Sequence, residues 1–209
     1  MIRPGDRLDN PVTGEVMIFH QTAAESGGEL VRVETIVKPN GFVAAAHVHP
    51  AQTERFDILE GTLDFRVGGE SVRVVAGDEL VVPPGTPHRF WKAGDEDAAF
   101  LMEVRPALKF ESLIETMFTL AAAGKTGKRG LPGPFPLAVI AREHFDTVQL
   151  PFPPVVLQRA ALAVAAPLGR AFGHRPIVER PLVAAKSGVA HERGYDRGRP
   201  HGSPTRRAA

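Results

Sequence analysis

The first half of the chain alternates. Residues 62–67 (TLDFRV) put Leu63, Phe65 and Val67 on one side and polar residues on the other, the period-two pattern of a half-buried strand. Gly68 and Gly69 follow as a two-residue hairpin turn, because glycine accepts the positive φ such turns need. Val72 and Val74 predict the returning strand and Gly77-Asp78 a turn. Residues 80–82 predict a further strand, and the Pro/Gly run at 83–87 a reversal before His88 opens the next one. Upstream, residues 30–38 are rich in Val and Ile; downstream, Phe100, Met102 and Val104 alternate. Many short strands at near-even spacing over residues 1–106 predict a sandwich or barrel.

After Pro106 the period changes. Phe110, Leu113, Ile114, Met117, Phe118 and Ala121 form one helical stripe, with Gly124 in place to end the helix. A Gly/Pro-rich loop at 124–134 precedes a short helix expected over 136–144. A longer helix is expected over 154–172, starting at proline and kinked at Pro167. Residues 160–169 (AALAVAAPLG) are apolar nearly all round but too few to span a bilayer, so they are expected to pack against the barrel or a second subunit. These features divide the chain into a β unit (1–106), a helical C-terminal extension (107–185) and a basic tail (186–209). The tail's Gly/Pro/Arg/His content predicts disorder.

Composition narrows the chemistry. The formal net charge is +1, the sum of about +4 in the tail and about −3 in the rest, so the body of the chain does not advertise nucleic-acid binding. No cysteine is present, which excludes disulfides, thiolate nucleophiles and cysteine metal sites. No apolar leader and no transmembrane run is visible; the expectation is a cytoplasmic protein, and a homodimer as the commonest oligomer.

The stretch at 41–61 (GFVAAAHVHPAQTERFDILEG) carries the chemistry. In a strand, residues two apart share a face, so His47 and His49 project side by side. Glu54 enters the next strand and can return to the same side, with Phe56 and Ile58 on its parity as a dry wall. His88 begins a strand after the Pro/Gly reversal. Three imidazoles and a carboxylate suit one divalent transition metal, Fe(II), Mn(II), Ni(II), Cu(II) or Zn(II), and leave two positions of an octahedral ion open for a small-molecule ligand or substrate. Further pocket candidates are Gln52, Arg66, Phe90, Trp91, Glu103 and Arg105.

These residues resemble the paired motifs of the cupin superfamily, in the form of its small single-domain microbial members. The first motif, G-x5-H-x-H-x(3,4)-E-x6-G, is filled by Gly41, His47, His49, Glu54 and Gly61. The second is filled by Gly77, Pro83, Gly85 and His88, with Lys92 where the pattern has Asn. The resemblance implies a mainly β fold, an antiparallel jelly-roll barrel, with His47, His49, Glu54 and His88 holding one divalent metal, Fe(II) first among the candidates. It implies dioxygenases, isomerases, cyclases and decarboxylases as relatives, beside non-catalytic binders. The expected function is a small-molecule enzyme of the Fe(II) dioxygenase type; the alternatives are a ligand-binding or sensor module and a metal-assisted isomerase or polyketide-cyclase-like enzyme. Cysteine–tyrosine-crosslinked thiol dioxygenases, two-barrel oxalate enzymes and helix-turn-helix regulators do not fit. The chain lacks cysteine, carries the motif pair once and has no helical repeat before the barrel.

Overall fold

The computed structural model describes residues 1–92, 94–179 and, for the backbone, 206–207. Nine strands precede the helices: β1 (Arg7–Asn10), β2 (Glu15–Gln21), β3 (Val31–Val37), β4 (Thr53–Glu60), β5 (Thr62–Val67), β6 (Glu70–Val75), β7 (Glu79–Val82), β8 (His88–Lys92) and β9 (Ala98–Arg105). They make two sheets, one ordered β1-β2-β3-β9-β4-β7 and one ordered β6-β5-β8, with every pair antiparallel. The alternation read from the sequence is the burial pattern observed. Leu63, Phe65 and Val67 of β5 are buried, as are Phe100, Met102 and Val104 of β9. This is the expected jelly-roll architecture with its helical extension.

Four phenylalanines join the sheets. Phe56 and Phe100 come from the large sheet, Phe65 and Phe90 from the small one, and their rings meet edge-on or tilted at 5.1–5.6 Å between centroids. All four belong to one continuous apolar core. Such aromatic pairs add about 0.5–1.5 kcal/mol each beyond the area they bury. Phe56, Ile58 and Phe90 therefore fill the barrel interior.

The segment before β4 extends the small sheet. Phe42 bridges to Trp91 and His47 to His88; Gly41 O also accepts from Lys92 N and Phe90 O from Val43 N. At Pro50 the chain leaves the small sheet, and it enters the large one as β4. The motif glycines mark close approaches. A Cβ on Gly41 would stand 2.7 Å from Val37 Cγ1; one on Gly61, at φ +74°, would stand 2.6 Å from Asp97 O.

Helix α1 (Phe110–Ala122) drives Phe110 and Phe118 into the barrel core. It ends in a Schellman arrangement: Gly124 N–H donates to Ala121 O and Lys125 N–H to Leu120 O, with Gly124 at φ +66°. Helices α2 (Pro134–Glu143) and α3 (Val155–Ala171) pack on each other where Gly169 meets Val139 and Phe135. Helix α3 continues unbroken through Pro167. It packs on α2 and leaves apolar residues uncovered: Val156, Val164 and Phe172 are each at least 65% exposed. No described helix is long and apolar enough to cross a membrane. Of the basic tail, only Arg206 and Arg207 are described; they run parallel to Leu80 and Val81 as a two-residue strand, β10, at the edge of the large sheet.

One carboxylate in the fold is out of keeping with its charge. Glu15, at the start of β2, is 4% exposed and accepts a hydrogen bond from Thr13 Oγ1 at 2.7 Å. Burial pushes its carboxyl up to about 7, and the single hydroxyl only partly offsets that. A raised acid favours the neutral form in the folded state. Its stabilising effect is therefore full below the unfolded value near 4.5 and is lost as pH rises through about 7. Glu15→Gln should remove the loss, making the variant relatively more stable than the parent by about 3 kcal/mol at pH 8 than at pH 4. Urea unfolding of both proteins at the two pH values measures it; parallel pH profiles would refute it.

Candidate metal centre

The four motif side chains come from three places. His47 and His49 lie on the strand-like edge beside β8, His88 opens β8, and Glu54 is the second residue of β4. His47 and His88 form a closed backbone pair, N–H to O in both directions at 3.0 and 2.9 Å. That register fixes which imidazoles stand opposite; their centroids lie 4.3 Å apart. Glu54 pairs with Val82 and Val104, so the parity that buries Phe56 and Ile58 also turns its carboxylate inward. One ligand atom from each of His47, His49, Glu54 and His88 lies within 4.8 Å of every other. Bonds of about 2.1 Å would put opposite ligands roughly 4.2 Å apart, so the cluster is already near the size an ion requires. His49, Glu54 and His88 are buried; His47 is half-buried and is the open side of the cluster.

The protons decide what the cluster can do. His47 Nδ1 faces Ala45 O at 2.9 Å, His88 Nδ1 faces Thr86 O at 3.1 Å, and His49 Nδ1 faces Thr147 O at 2.7 Å. Carbonyl oxygens only accept, so each Nδ1 carries the proton and each Nε2 presents a lone pair. His49 has a second acceptor, Gln52 Oε1 at 2.9 Å. The Gln52 orientation is forced, because its amide NH₂ donates to Pro106 O and Ala107 O at 2.8 and 3.1 Å. Glu54 then approaches His88 Nε2 at 2.6 Å and His49 Nε2 at 3.3 Å. Its Oε2 is buried and lacks a hydrogen bond of proper alignment. Lone pairs converging on an orphaned carboxylate oxygen form a cage for a cation, and the N₃O donor set suits a divalent transition metal.

The electrostatics agree. Burial alone would raise Glu54, but the imidazoles of His49 and His88 outweigh it and hold its carboxyl well below the usual range. Burial, and then the neighbouring His88 and His49, push His47 far down, keeping it neutral. His88 moves up: burial opposes protonation, but the neighbouring Glu54 charge outweighs it. In the absence of an ion, positive charge is drawn to the His88–Glu54 contact.

The other pocket candidates are distributed unevenly. Gln52 touches His49; Phe56, Ile58 and Phe90 fill the interior beneath. Arg66 and Trp91 stand on the outward face of the small sheet, opposite in parity to the buried Phe65, Phe90 and His88. Arg105 and Glu103 belong to an outer ion-pair network with Arg32 and Glu29. Sequence reasoning missed Thr147 and Phe110. Thr147 O comes from the turn after α2, held by Thr147 N–H to His144 O and by the Val48–Gln149 bridge beside it. Phe110 stands 6.4 Å from the His49 ring. A backbone carbonyl has no side-chain signature, so only the fold can reveal such a partner.

Comparison with known proteins places the chain. The family described as Cupin domain matches residues 33–104. Over 168 residues the chain is 27% identical to the oxidoreductase iacF of Pestalotiopsis fici, covering 72% of this chain and 82% of the relative. It is 32% identical over 78 residues to the polyketide synthase protein CurC of Streptomyces cyaneus, covering 37% of this chain and 50% of the relative. With the quercetin 2,3-dioxygenase of Bacillus subtilis it shares 29% identity over 83 residues, 37% of this chain and 25% of that enzyme. The chain thus spans most of iacF's length but only half and a quarter of the other two. With both motifs in place and their side chains converging inside a jelly roll, this chain carries a cupin domain.

Proposed function

We propose that the chain is a metal-dependent enzyme acting on a small molecule, of the Fe(II) dioxygenase type. The observation that carries the reading is the convergence of three Nε2 lone pairs and the orphaned Glu54 oxygen, with every Nδ1 proton already committed to a carbonyl. A bound divalent metal would supply Lewis acidity and one-electron redox chemistry at this point. His47, His49, His88 and Glu54 would hold it. Ala45 O, Thr147 O and Thr86 O fix the imidazole tautomers, and Gln52 holds the ring of His49 in place. Phe56, Ile58 and Phe110 keep water from the buried sides, so substrate approaches by half-buried His47. The similarities to an oxidoreductase and to a quercetin dioxygenase support oxygen chemistry. The similarity to CurC favours a second reading, a metal-assisted isomerase or polyketide-cyclase-like enzyme. The uncovered apolar face of α3 supports self-association as a homodimer.

Metal should stabilise the fold. An ion that binds only the native site adds about 2.7 kcal/mol at a hundredfold excess over its dissociation constant. Chelation should lower the melting temperature and re-addition should restore it. His47→Ala, His49→Ala, Glu54→Ala and His88→Ala should each abolish most of that gain, while His174→Ala keeps it. Full metal content in the His49→Ala/His88→Ala double variant would place the ion elsewhere.

Gln52→Ala should weaken metal affinity about tenfold, the low end for loss of a partner that orients a ligand, because Thr147 O still anchors His49. Competition against a chromophoric chelator measures it, and unchanged affinity would remove Gln52 from this role.

The Fe(II)-loaded protein should consume O₂ with at least one class among catechols, diketones and hydroxylated aromatics, and His49→Ala should not. A metal-loaded protein that binds such a compound without O₂ uptake or turnover would establish the non-catalytic module instead.

A further inference from the structure

The outward face of the small sheet carries charge that the metal centre does not use. Arg66 on β5 and Arg89 on β8 stand directly across from each other in register. Like charges so placed destabilise a sheet unless an anion lies between or beside them. The acid next in register, Asp64, already accepts from Arg73 Nε and Nη2 at 2.7 and 3.1 Å. A third arginine, Arg129, arrives from the turn at 126–132 of the C-terminal extension. Thr126 bridges to Pro132 there, and Gly130 lies against Thr13 and Ala44. Among the described residues, no carboxylate pairs with Arg66, Arg89 or Arg129.

Arg89 and Arg129 line one cleft of about 610 Å³, with Phe42, Trp91 and Leu131 among its apolar walls. Its floor includes Ala44, Ala45 and Ala46. The 42–47 segment bulges there: five steps of chain from Phe42 to His47 span three steps of β8 from Trp91 to His88. Among the described residues, the backbone N–H groups of Ala44, Ala45 and Ala46 meet no acceptor. The guanidinium of Arg89 lies 5.3 Å from the centre of the Trp91 ring, so cation and flat apolar surface adjoin. The cleft therefore offers two unneutralised guanidinium groups, a run of free amide donors and an aromatic wall.

We propose that this cleft is a second ligand site, which binds a small organic anion with a planar apolar body, an aromatic carboxylate being the simplest. The carboxylate takes the Arg89 and Arg129 guanidinium groups, which match its geometry. The ring lies along Trp91 and Leu131. Alanine at 44–46 keeps the backbone approachable. This site is on the opposite face of β8 from the His88 imidazole, and its occupation does not require metal.

Trp91 is the sole tryptophan, so its indole N–H gives one self-assigned resonance. The full chain, ¹⁵N-labelled and loaded with diamagnetic Zn(II), is titrated with 2-naphthoate and with its neutral isostere 2-naphthamide, following that resonance and, in parallel, the heat of binding. Expected are saturable binding of 2-naphthoate and at least tenfold weaker binding of the amide. Arg89→Gln and Arg129→Gln should each weaken 2-naphthoate about five- to tenfold, and His49→Ala should leave its affinity unchanged. No binding, equal affinity for acid and amide, or unchanged affinity in both arginine variants overturns the proposal. Loss of binding in His49→Ala places the anion on the metal instead and overturns it equally.

Discussion

A neutral imidazole has one proton, and the rest of this site depends on where that proton goes. Three carbonyl oxygens, Ala45, Thr86 and Thr147, claim the Nδ1 protons of His47, His88 and His49. The Nε2 lone pairs are left with no alternative but to face one another and Glu54. The same rings with the proton on Nε2 would form a hydrogen-bonded cluster around the carboxylate and offer nothing to a cation. The donor set is thus made by the backbone as much as by the side chains.

This dependence ties the helical extension to the barrel. Thr147 O reaches His49, Gln149 bridges Val48, and Pro106 and Ala107 fix the amide of Gln52 that also faces His49. His144 holds the same region by its Nδ1 contact to Ile140 O and its Nε2 contact to Ser112 Oγ, linking α2 to α1. The extension therefore closes one side of the site. The closing is polar and local, whereas α3 is attached through α2 and leaves an apolar face uncovered.

The small sheet works on both faces. Inward, Phe65, Phe90 and His88 join the core and the candidate metal centre; outward, Arg66 stands across from Arg89, and Arg89 and Trp91 share a cleft with Arg129. The bulge at Ala44–Ala46 connects the two, because Ala45 O receives the His47 proton while the same segment forms the floor of the outer cleft. One strand edge thus borders the buried His/Glu cluster on one face and a cationic cleft on the other, separated by a single layer of backbone.

Local periodicity was enough to read the strands from Leu63 to Val104, the α1 stripe with its Gly124 stop, and the shared face of His47, His49 and Glu54. Burial on one face imposes period two or 3.6 on the residues themselves. Spacing also carried the motif glycines, because Gly41 and Gly61 each stand where a Cβ would meet neighbouring atoms. The sequence could not say which face Arg66, Trp91 and Arg105 take, since a half-exposed arginine or tryptophan satisfies either side of a strand. Only the tertiary structure decided that Arg66 and Trp91 look outward, that Arg129 joins Trp91 from a turn later in the chain, and that Thr147 anchors His49. Those contacts are long-range, and the one at Thr147 is made by a backbone oxygen that every residue type possesses. No pattern of side chains records it; the folded path of the chain does.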